Sequence, residues 1–136
     1  MSDRVELTAG ATLPARVYDV TRTDLVDYAH ASGDHNPIHQ DEQIAVAVGL
    51  PGVIAHGMYT LALVGRAIEE WTGGAEVVEL GAKFVAPVVV PADGAARVSI
   101  EGTVGERTAE GLVPLALQIT VDGTKVLGAP RATVRA

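Results

Sequence analysis

Between Ile44 and Gly65 the chain contains no Asp, Glu, Lys or Arg. A stretch of that length and polarity either crosses a bilayer or lies inside a folded core. Pro51 and Gly52 stand in its middle, with His56 just beyond. Pro lacks the backbone N–H that a continuing helix needs, and a Pro-Gly pair favours a turn, so the stretch divides into two short elements. It therefore reads as the end of one helix, a loop, and the start of a second helix, with no membrane span. That second helix runs from Gly57 to Trp71, roughly 22 Å at 1.5 Å per residue. It is apolar nearly all round until Arg66, which is the pattern of a buried helix.

The elements on either side must supply its cover. Arg16 to Val20 alternates as a strand, and Thr21 followed by Asp24 is an acid-ended relative of the capping box. A helix from Thr23 to about Ser32 is expected, with Leu25, Val26, Tyr28 and Ala29 facing inward. Gly33 closes it. A short helix from Asp41 to Val48 follows, ended by Gly49. Beyond Ala75 the texture changes to strands over Glu76–Phe84, Arg97–Gly105, Leu112–Val121 and Lys125–Val134. Asp122-Gly123 marks a hairpin, and residues 91–94 mark another turn. Antiparallel strands need an apolar partner on one face, and the uncharged helix is the available one. The fold class is α+β, an antiparallel sheet wrapped around a long central helix. At 136 residues and 14.0 kDa the expected organisation is one domain over 1–136. A globule of this mass buries roughly two-thirds of the surface exposed by its unfolded chain, enough for one core.

Composition removes several functions. Ten Lys and Arg against 17 Asp and Glu leave a formal charge of −7, which repels a phosphate backbone, so no nucleic-acid partner is expected. With no cysteine there is no thiolate nucleophile or Cys-ligated metal. The serines are Ser2, Ser32 and Ser99, none in a G-x-S-x-G elbow. No glycine-rich phosphate loop follows a strand, so no nucleotide cofactor is expected. Residues 1–11 carry Asp3, Arg4 and Glu6 and no apolar run of signal-peptide length, which makes the cytoplasm the expected compartment.

Polar, titratable residues gather around Pro37: Asp34, His35, Asn36, His39 and Asp41 lie within eight positions, beside the most apolar part of the chain. Three readings fit. A turn-rich surface loop needs the same Asp, Asn, Pro and Gly for backbone reasons alone. A metal site could use His35 and His39, but a spacing of four aligns two ligands only on a helix, and Pro37 stands between them. An acid–base pair would use Asp34 as a carboxylate acceptor and His39 as an imidazole that titrates near neutrality.

The segment Asp34-His35-Asn36-Pro37-Ile38-His39, followed by Ile54-Ala55-His56-Gly57-Met58, resembles the paired signature of the MaoC-like (R)-specific hydratases and dehydratases of hotdog fold. It is especially similar to the catalytic B subunit of the actinobacterial (3R)-hydroxyacyl-acyl carrier protein dehydratase. The similarity covers about Thr21 to Val85 and extends more loosely to the C-terminus. It implies reversible addition of water across the 2,3-double bond of an acyl thioester on CoA or an acyl carrier protein. The implied catalytic pair is Asp34 and His39, with Asn36 and Gly57 as substrate-binding residues and no metal or cofactor. It further implies a homodimer, or a heterodimer with a related hotdog subunit.

The implied roles are chemically coherent. Removing a proton alpha to a thioester carbonyl builds negative charge on its oxygen, and a helix N-terminus at Gly57 is a ready donor to it. Asn36 serves equally well as a turn former. His56 reads as a loop-packing residue, His30 and His35 as surface, Asp41 as a first-turn acid, and Tyr28, Met58 and Trp71 as core or tunnel wall. In one respect the chain departs from many monofunctional relatives, which carry a serine five positions after the glycine that matches Gly57. Here that position is Ala62.

Two other functions use related parts. A hotdog thioesterase relies on a carboxylate early on the central helix, whereas the first acid here is Glu69. A non-catalytic acyl-binding subunit of a dehydratase heterodimer would not need both Asp34 and His39.

Overall fold

A computed structural model describes residues 4–136; the first three residues of the expected N-terminal arm lie outside them. Strand β1 (Thr12–Val20) leads into helix α1 (Arg22–Ser32), a 3-10 turn (Pro37–His39) and helix α2 (Glu42–Ala47). Helix α3 (Gly57–Thr72) and strands β2 (Glu76–Phe84), β3 (Ala96–Val104), β4 (Leu112–Val121) and β5 (Thr124–Arg135) complete the chain. The strands form one antiparallel sheet in the order β1-β3-β4-β5-β2. With α3 packed on its concave side, this is the hotdog fold.

Local chemistry explains most boundaries. The Thr21 hydroxyl accepts from the Asp24 N–H, and the Asp24 carboxylate accepts from the Thr21 N–H at 2.9 Å, closing the capping box at the start of α1. Gly33 ends that helix with φ 81°, a conformation that costs glycine nothing. Asp122 (φ 50°) and Gly123 (φ 78°) both adopt the left-handed region that a tight hairpin turn requires.

The core joins α3 to the inner sheet face. Leu63, Val64, Ala67, Ile68 and Trp71 of α3 meet Leu13, Val98, Ile100, Val113, Ile119 and Val134, and the Trp71 indole N–H donates to the Pro14 carbonyl at 2.9 Å. Three expectations need correction. α3 is not enclosed all round, because the sheet covers one side: Met58, Ala62, Arg66 and Glu69 form an exposed stripe. On α1, Leu25 and Ala29 are buried but Val26 is not. β1 starts at Thr12, four residues early, because a register shift between Leu13 and Arg16 breaks the alternation that marks a strand. The uncharged stretch divides between α2, the Pro51-Gly52 turn and α3, and among the described residues no helix is long and apolar enough to cross a membrane.

Candidate active site

Nested turns shape the loop between α1 and α2. The Asp34 carboxylate accepts from the Asn36 N–H at 3.2 Å, and the Asn36 side-chain oxygen accepts from the Ile38 N–H at 3.2 Å, capping the 3-10 turn that Pro37 opens. The Asp41 carboxylate then caps α2 by accepting from the Ile44 N–H. His39, at the end of the 3-10 turn, is thereby carried inward and buried while Asp34 stays exposed.

The His39 ring has a defined tautomer. Its Nδ1 lies 2.7 Å from the Ile54 carbonyl oxygen, which can only accept, so Nδ1 carries the proton and Nε2 of the neutral ring keeps its lone pair. Beneath it, His56 stacks with ring centroids 3.8 Å apart. His56 Nε2 donates to the Asp34 carbonyl at 3.1 Å, and its Nδ1 is buried without a partner. Burial holds the His56 pKa below the ordinary imidazole value, outweighing the opposing effect of the Asp34 carbonyl. The Tyr28 ring meets the edge of His56 at 4.7 Å.

His56 is also the N-cap of α3, and its side chain caps nothing. The first intrahelical bonds are those of the Tyr59 and Thr60 N–H groups to the His56 carbonyl, so the N–H groups of Gly57 and Met58 precede the helical ladder and have no acceptor in it. Asp34, His39, His56, Gly57 and Met58 border one cavity of about 610 Å³. Ser32, Asp34, His39, His56 and Thr60 form its polar side; residues 84–88 with Val126 and Leu127 form a largely apolar wall. That combination suits an acyl chain anchored by a few polar groups.

Asp34, His39 and His56 also place potential ligand atoms within 4.8 Å of one another. Their geometry does not suit a metal. An imidazole binds a metal in its own ring plane, and planes inclined by only 24° meet far beyond a Zn–N bond of about 2 Å.

Of the residues singled out in the sequence, Asp34, His39 and Gly57 border this cavity together. Asn36 does not line it and serves the 3-10 turn. His30 and His35 are exposed and meet each other edge-on at 5.7 Å. Tyr28 and Met58 line the cavity, whereas Trp71 is core. His56 packs as expected, against His39 and Tyr28, and it also lines the cavity; its place next to Gly57 in the Ile54–Met58 segment is the sequence signal for that.

Residues 6–119 match the family described as the MaoC like domain. The chain belongs to the MaoC-like family. This MaoC-like chain is 42% identical over 79 residues to 3-hydroxyacyl-thioester dehydratase X of Mycobacterium tuberculosis, an alignment covering 58% of the chain and 28% of that protein. A solved MaoC-like dehydratase superposes with a TM-score of 0.87 at 33% identity, covering 98% of this chain and 43% of the other. The R-hydratase PhaJ1 from Pseudomonas aeruginosa superposes with a TM-score of 0.81 at 26% identity, covering 96% and 83%. The MaoC-like chain thus spans less than half the length of the first two relatives.

Proposed function

We propose that this chain is a hydro-lyase that interconverts (3R)-hydroxyacyl and trans-2-enoyl thioesters of CoA or an acyl carrier protein, with Asp34 and His39 as its acid–base pair and residues 1–136 acting as one cytoplasmic domain. The observation that carries the reading is the His39 hydrogen bond: the bond from Nδ1–H to the Ile54 carbonyl leaves Nε2 as the ring nitrogen available to take a proton, on a cavity shared with Asp34 and the start of α3.

In dehydration, His39 Nε2 takes the C2 proton. Negative charge passes to the thioester oxygen, where the Gly57 N–H donates to it. The C3–O bond then breaks, and the departing hydroxyl, held by the Asp34 carboxylate, takes that proton from the His39 imidazolium and leaves as water, which returns His39 to its neutral form. Hydration is the reverse, with Asp34 orienting the attacking water. Side chains and backbone supply every group in this scheme, so it calls for no cofactor. A thioesterase is less well supported, since the exposed Glu69 sits near the far end of α3 and not at the cavity.

We further assign a second hotdog subunit, identical or related, to the face formed by the open edge of β2 and the exposed stripe of α3. Among the described residues β2 is an edge strand paired only with β5, and Val77, Val78, Phe84, Val85 and Met58 are all exposed there. An open, apolar strand edge of this kind favours pairing.

The test is absorbance-monitored hydration of crotonyl-CoA and of a longer trans-2-enoyl-CoA. Turnover that Asp34→Asn and His39→Ala both abolish, in variants that still fold, is the expected result. Turnover that persists in either variant rejects the mechanism.

A further inference from the structure

Helix α3 carries two threonines that differ in one respect. The Thr72 hydroxyl donates to the Ile68 carbonyl four residues back, at 2.8 Å, the usual outlet for a threonine in a helix. Thr60 is just as well placed to bond the His56 carbonyl, yet its hydroxyl makes no hydrogen bond among the described residues. Thr60 is nonetheless buried. The unpartnered side-chain polar atom that is fully enclosed among the described residues is His56 Nδ1, so the Thr60 oxygen keeps open surface, and the space that Thr60 borders is the cavity.

Side chains on a helix lean toward its N-terminus and cover the turn before their own Cα. Thr60 therefore lies over the turn that begins at Gly57, whose N–H has no acceptor in the helix. A hydroxyl and a backbone N–H thus border the cavity within one helical turn of each other, on its polar side, and both can donate to one oxygen. Ala62, the position at which many relatives have serine, is exposed and absent from the cavity wall.

We propose that the Thr60 hydroxyl is a second donor, beside the Gly57 N–H, to the thioester carbonyl oxygen of the bound substrate. The proposal rests on the hydratase reading for the identity of the substrate. It accounts for a buried hydroxyl held without a protein partner, and it places a hydroxyl at the carbonyl without using position 62.

Two measurements test it. In turnover, Thr60→Val keeps the shape and removes the donor; kcat is expected to fall by about 10- to 100-fold with KM changed by less than about twofold, and Thr60→Ser to restore most of the loss. In binding, the infrared carbonyl stretch of crotonyl-CoA held on Asp34→Asn is expected to lie below its frequency in free solution, and to move back toward it when Thr60→Val is added. A stretch that Thr60→Val leaves unchanged overturns the proposal, whatever happens to kcat. If the wild type hydrates neither enoyl-CoA, hydration by this chain alone is rejected, and the carbonyl frequency still decides for or against Thr60.

Discussion

The imidazoles of His39 and His56 stack at a centroid distance of 3.8 Å with planes inclined by 24°. This contact couples the proposed base to the chain that carries its proposed partner, because the lower ring also donates to the Asp34 carbonyl. In the proposed mechanism His56 is thus a positioning residue for both members of the pair. His56→Phe keeps a ring under His39 and removes only the hydrogen bond. Its expected cost is about 1 kcal/mol in urea unfolding and about tenfold in kcat with little change in KM. His56→Ala removes the ring as well, and a cost of about 3 kcal/mol is expected. Unchanged kcat in His56→Phe would show that the hydrogen bond to Asp34 does not position the site.

Burial of His56 also sets a pH dependence. Its pKa in the folded protein lies below the ordinary value of 6.5, with burial as the largest cause. Below pH 6.5 the unfolded chain therefore binds a proton that the folded chain refuses, so the contribution of His56 is fully present above that pH and is lost as pH falls toward the depressed folded value. The difference in unfolding free energy between wild type and His56→Phe should rise with pH up to about 6.5 and be level above about 7. Trp71 fluorescence in urea at a series of pH values reads it. A difference that is flat from pH 5 to 8 would contradict a neutral, buried His56.

What could be read from sequence was what depends on near neighbours. Thr21 and Asp24 are three residues apart, and Asp122 and Gly123 are adjacent, so the capping box and the hairpin were visible in the chain. Asp34 and His39, five positions apart, were visible as one of three readings of their loop, and the resemblance to a hydratase signature singled that pair out. His56 was not, because its role arises from a ring 17 residues earlier and a carbonyl 22 residues earlier, brought together only by folding. The exposed stripe of α3 was hidden for a similar reason. An apolar residue such as Met58 or Ala62 looks the same in sequence whether it faces the sheet, solvent or another subunit.

Gly57 is tightly covered at the mouth of the cavity. A Cβ added there would lie 2.8 Å from Cε1 of Phe84, a ring that is 57% exposed and able to swing outward. Gly57→Ala should therefore fold, with stability within about 1 kcal/mol of wild type because alanine is the better helix former. The methyl and the displaced ring shift the thioester relative to the α3 N-terminus, and kcat/KM should fall by about tenfold or more. Adding Phe84→Ala should relieve the contact without recovering turnover. Full activity in Gly57→Ala would mean that the carbonyl does not approach this turn.

The edge of β2 gives the last prediction. In the isolated chain Val78 is 42% exposed and Val77 is 38% exposed, on a strand whose outer backbone groups have no neighbouring strand among the described residues. Pairing with a second subunit would satisfy those groups and cover the apolar side chains, together with Met58 from α3. Val78→Glu places a carboxylate on that face. If two copies pair β2 to β2, the substitution enters the interface twice, and two like charges so introduced repel across it. Light scattering after size exclusion is expected to report a dimer for the wild type and a monomer for Val78→Glu. Turnover should fall along with the dimer, because residues 84–88 at the end of β2 form part of the cavity wall. A monomeric wild type that hydrates enoyl-CoA at full rate would remove the second subunit from the proposal. A monomeric and silent wild type would instead direct the search to a related partner able to pair with the same edge.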